Sequence, residues 1–105
     1  MAHQRRNTPD RRGQEEAAGA LAIAALRFIA AEPERLRRFL SLTGIEPQSI
    51  RAAARGAGFL LGVLDHLAGD ESLLLAFANE NEIGPDEVQR ARAVLARQAE
   101  GDQPA

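Results

Sequence analysis

A chain of 105 residues, with 13 basic and 15 acidic side chains and a formal charge of −2, has the length of one domain. It contains no cysteine, which excludes disulfides, thiolate metal sites and cysteine nucleophiles. No apolar run reaches the roughly 20 residues of a membrane span, and the polar start MAHQRRNTPDRR lacks the apolar stretch of a secretory signal. The expected location is therefore cytoplasmic, with no membrane association.

Charge is unevenly spread. Residues 1–12 hold four arginines and one aspartate, a local +3, while the rest holds nine arginines and fourteen acids, −5. An acidic folded part argues against a broad phosphate-binding surface, so nucleic acid is not the expected partner.

Residues 1–13 lack apolar periodicity and read as a disordered basic tail; residues 99–105 read as a second tail. Between them, residues 14–98 form one helical domain, since apolar residues recur at three- and four-residue spacings. The first helix is expected from about Gln14 to Ala31. A second follows over about Pro33–Leu42, with Leu36, Phe39 and Leu40 inward, and a third over about Pro47–Arg55, with Ile50 and Ala54 inward. The fourth spans about Gly58–Ala68. The fifth starts behind Asp70, an N-cap residue type, and carries Leu73, Leu74, Phe77 and Ala78. The last covers about Pro85–Gln98, with Val88, Ala91 and Leu95 inward. Pro33, Pro47 and Pro85 suit first helical turns, where a missing N–H costs nothing. No segment alternates as a strand does, so the fold class is all-α, a compact bundle of about six short helices.

Shifting the chain by 38 residues places Leu26 on Leu64, Ile29 on Leu67, Leu36 on Leu74 and Phe39 on Phe77. Ile45 then falls on Ile83, Pro47 on Pro85 and Ile50 on Val88, without a gap. Two pseudo-repeated three-helix units, packed into one core, would give this pattern.

Four sets of residues are candidates for function. Asp65, His66, Asp70 and Glu71 cluster in sequence and include metal-ligand types. However, neighbours on a helix point about 100° apart, and capping explains Asp70 and Glu71. Gln48, Ser49, Arg51 and Arg55 would face a DNA groove if residues 39–51 formed a helix-turn-helix. Arg5, Arg6, Arg11 and Arg12 give the tail its charge. Finally, Phe59–Ala78 holds more large apolar residues than one inward stripe per helix uses. Leu61 and Leu75 fall off those stripes and are the candidate partner-binding positions.

Catalysis has little to work with. His3 lies in the tail, which leaves His66 as the sole candidate base in the helical part, and no nucleophile elbow or phosphate-cradling loop occurs. The expectation is a non-enzymatic protein with no catalytic residues, metal or cofactor.

The segments AEPERLRRFL (31–40), LTGIEP (42–47), RAAA (51–54), VLDHL (63–67), DESLLLAF (70–77) and PDEV (85–88) resemble a family of small alphaproteobacterial proteins catalogued as a domain of unknown function. The resemblance covers about residues 15–98. It implies an all-helical bacterial protein and carries no functional residues to transfer. The expected role is a protein–protein interaction module, with an unknown protein partner or self-association. A helix-turn-helix-like DNA binder is the alternative.

Overall fold

In the computed structural model, which describes residues 10–102, six α-helices follow one another and no strand occurs among those residues. They are α1 (Arg11–Ala30), α2 (Pro33–Thr43), α3 (Ile50–Ala53), α4 (Ala57–Ala68), α5 (Glu71–Glu80) and α6 (Pro85–Asp102). A 3-10 turn, Pro47–Ser49, leads into α3.

Local chemistry sets most of these boundaries. Pro33 and Pro85 open α2 and α6, and the Asp70 carboxylate accepts the Leu73 N–H at 3.2 Å to cap α5. Gly44 ends α2 at φ 75°, left-handed backbone that glycine enters without a Cβ penalty. The C-terminus of α5 has the same form without a glycine, because Glu82 sits at φ 56°. There the Ile83 N–H donates to Ala78 and the Glu82 N–H to Asn79, pairing the last carbonyls of the helix.

Three expected boundaries shift. Helix α1 begins at Arg11 rather than Gln14, with the Asp10 carboxylate accepting the Gly13 N–H at 2.8 Å. Helix α6 continues to Asp102 rather than stopping at Gln98. Both extensions line one cleft, Arg11 from α1 and Gly101 from α6, together with Gln14, Glu15, Arg97 and Gln98. The third helix is the reverse case. The stretch expected over Pro47–Arg55 resolves into the 3-10 turn and a single α turn. Only Ile50, Ala53 and Ala54 lean inward, and each is no more than partly buried, too little apolar anchorage for a longer helix.

The core is made where α1, α4 and α6 pack on one another, with α2 laid against α1 and α5 against α4. Helix α1 contributes Ala18, Ala22 and Ala25, whose small side chains admit close neighbours, and the larger Ile29. Helix α4 contributes Leu60, Val63, Leu64 and Leu67, and α6 contributes Val88, Ala91 and Leu95. Phe39 and Phe77 are both fully enclosed, whereas Leu36, Leu40, Phe59 and Leu73 are partly buried at the margin. No polar or charged residue is buried among the described residues.

Residues 38 apart make matching contacts. The Ala31 N–H donates to Arg27 at 2.9 Å, and the Gly69 N–H to Asp65 at 3.0 Å. The Leu36 N–H donates to Glu32, and the Leu74 N–H to Asp70. The Thr43 hydroxyl donates to the Phe39 carbonyl at 2.8 Å, and the Asn81 amide to the Phe77 carbonyl at 2.9 Å. The two positive-φ residues of the described chain, Gly44 and Glu82, stand at equivalent places. Phe28 meets Phe77 edge-on at 5.5 Å, and Phe39 meets His66 at 5.2 Å. Adding 38 to residue 28 gives 66, and adding 38 to 39 gives 77. The two ring contacts thus map onto each other under the 38-residue shift. The correspondence ends at the third helices, where α3 is one turn long and α6 is 18 residues.

Candidate interaction surface

On α5, the inward residues are Leu74, Phe77 and Ala78. Leu75 follows Leu74 by about 100° of helix rotation, which turns it outward, and it is 49% exposed. Its neighbours along the outer face are Glu71, Ser72, Ala76, Asn79 and Glu80, all exposed. Leu61, the other position expected to be surplus, is partly buried and packs against the core. Helix α4 meets α1, α5 and α6 on different sides, so one inward stripe does not describe it.

A leucine that the periodicity did not single out is more exposed still. Leu42, in the last turn of α2, is 66% exposed. Its three-residue spacing from Phe39 places it near the inward stripe, but the chain turns away at Gly44 and nothing covers that turn. Arg37 and Arg38, one turn earlier, are exposed as well. Arg37 lies 3.5 Å from Glu34 in a solvent-exposed pair. Arg35 points the other way, its guanidinium 4.0 Å over the Phe28 ring and donating to the Phe28 carbonyl at 3.3 Å.

The acid–histidine cluster disperses into separate roles. Asp65 accepts from Arg92 Nε at 2.8 Å, tying α4 to α6. Asp70 caps α5, Glu71 is exposed in its first turn, and His66 packs against Phe39. Burial holds the His66 pKa below its ordinary value, Arg38 lowers it further, and Asp70 pulls the other way. No three His, Asp or Glu side chains come together as a metal-binding group among the described residues.

Gln48, Ser49, Arg51 and Arg55 are all exposed, but they lie on the 3-10 turn, the single α turn and the loop after it. A groove-reading helix with several base-facing side chains is not formed there. Arg11 and Arg12 belong to the first turn of α1, while His3, Arg5 and Arg6 lie outside the described residues. An open groove also runs along α1 and α6, floored by Ala18, Leu21, Ala91 and Val94. No described helix is long and apolar enough to cross a membrane.

No protein of curated function and no solved structure matches the chain. One family does, over residues 15–98, which takes in every helix from the second turn of α1 to most of α6. The chain belongs to that family, described as protein of unknown function (DUF3572).

Proposed function

We propose that this protein is a non-enzymatic module that works by binding another protein through the outer faces of α2 and α5. The observation that carries this reading is the exposure of Leu42 and Leu75, the two large apolar side chains left exposed among the described residues. Fully burying an exposed leucine is worth roughly 1.5–3 kcal/mol, and covering the exposed half or so of these two still offers a partner a useful contact. The 38-residue correspondence supports a further part of the reading, that α2 and α5 are equivalent elements of a duplicated three-helix unit. DNA binding through Gln48, Ser49, Arg51 and Arg55 is the weaker alternative, since one α turn gives too little helix for a groove.

Affinity capture from a native cell extract tests the reading, with Leu42→Glu and Leu75→Glu as controls. Both substitutions are at exposed sites and should change stability by no more than about 0.5 kcal/mol. The expected result is a protein captured by the parent chain and lost with one or both variants. Capture indifferent to both variants would overturn the assignment of these faces.

A further inference from the structure

The two exposed leucines sit among charges of opposite sign. Arg35 lies over the Phe28 ring, so the solvent side of α2 carries Arg37 and Arg38 against Glu34, and Arg38 lies one turn before Leu42 on the same face. Helix α5 carries Glu71 and Glu80 and no basic residue, and Glu71 lies one turn before Leu75 on the same face. The spacing is identical, four residues from charge to leucine in each case, so both pairs of side chains stack along one helix face. The inward residues of these helices match under the 38-residue shift, Leu36 with Leu74 and Phe39 with Phe77. The outward residues do not match: Arg37 falls on Leu75 and Leu42 on Glu80. The halves are alike where they touch the core and opposite in charge where they face solvent.

We infer that the partner is a second copy of this chain, the basic α2 face of one copy docking on the acidic α5 face of the next. This rests on the interaction-module reading and names its partner. Laid side by side in register, the two faces bring Leu42 against Leu75 and Arg38 against Glu71. The competing self-contacts are disfavoured by the same charges, since α2 on α2 sets arginine against arginine and α5 on α5 sets glutamate against glutamate. The contact joins unlike surfaces, so every copy in an assembly offers one free α2 and one free α5 until a ring closes. Two helices of 11 and 10 residues bury far less than the roughly 1,600 Å² of a standard interface. The association is accordingly weak and dependent on concentration and salt.

Sedimentation velocity on the full chain tests this, using two charge-reversed variants whose folding is checked by circular dichroism. One is Arg37→Glu with Arg38→Glu; the other is Glu71→Arg with Glu80→Arg. The parent chain should gain mass with concentration at low salt and lose that gain in about 0.5 M salt, where the screening length falls to several ångströms. Each variant alone should stay monomeric, because its α2 and α5 then share one sign. Mixed in equal amounts they should associate again, since each face meets an opposite one in the other variant. A parent chain monomeric at all concentrations, association insensitive to salt, or a mixture that stays monomeric would overturn the inference. If the parent is monomeric yet captures a different protein through Leu42 or Leu75, self-association fails and the interaction module stands. If Leu42→Glu and Leu75→Glu change neither capture nor mass, the module reading fails with it.

Discussion

Glu82 holds left-handed backbone at φ 56°, a conformation that costs an L-residue about 1 kcal/mol, and nothing about its side chain requires that cost. Glu82→Gly should therefore stabilise the domain by about 0.5–1 kcal/mol, measured as a rise in the urea midpoint at constant slope. Gly44→Ala should do the reverse by a similar amount. A Cβ there would meet no atom within 4 Å, so any loss comes from the backbone alone. Phe39 and Phe77 are each fully enclosed, and truncating either to alanine should cost about 3–5 kcal/mol in the same assay. A much smaller loss at one of them would show that its site collapses or admits water.

His66 gives the same scale a pH dependence. Its folded pKa lies below the ordinary 6.5, chiefly through burial against Phe39 and then through Arg38, with Asp70 opposing. The unfolded chain therefore binds a proton more readily than the folded one just below pH 6.5. The contribution to stability is complete above that value and is lost as the pH falls through the lowered folded value. Phe28 occupies the position 38 residues earlier and packs on Phe77 as His66 packs on Phe39. His66→Phe should keep the ring contact and remove the titration. The variant's stability advantage over the parent should then grow between pH 7 and pH 5 in thermal melts. An advantage that does not change with pH would mean that His66 titrates alike in both states.

At the scale of elements, local signals carry most of the reading. Proline at the first turn locates α2 and α6, and the Asp70 cap locates α5, because with apolar spacing these signals act within a turn or two of where they stand. The ends that differ from expectation are those of α1, α3 and α6. Arg11-Arg12-Gly13 carry no apolar residue, but Asp10 before them is an N-cap residue type and accepts the Gly13 N–H. The last turns of α6 line the same cleft as this turn. Around Ile50 the failure is the opposite, a proline start and apolar spacing without enough buried surface to hold more than one turn. The surface is partly legible: Leu75 follows from rotation about α5, whereas Leu61, off the stripe, is partly buried because α4 packs against several helices. Leu42 was missed because angular position cannot say whether a neighbouring element reaches that far. One prediction belongs here. Leu61→Glu should destabilise the domain clearly more than Leu75→Glu in denaturant titrations, since it pushes a charge against core side chains. Equal losses would return Leu61 to the surface.

At the scale of the whole molecule, the contacts that match under the 38-residue shift lie in α1, α2, α4 and α5, and the match ends where α3 is one turn and α6 is 18 residues. That difference makes the molecule one unit rather than two, because α6 packs on both α1 and α4. The same feature has a consequence in time. On the ribosome α1 emerges first and α6 last, so the alanine stripe of α1 waits for a partner made at the end of synthesis. The α1–α2 and α4–α5 hairpins join neighbours in sequence and can form early, while the α1–α6 seam must close a loop spanning nearly the whole chain. Completion of that seam should be the late, slow event of folding, and shortening α6 should speed unfolding far more than it slows the first collapse.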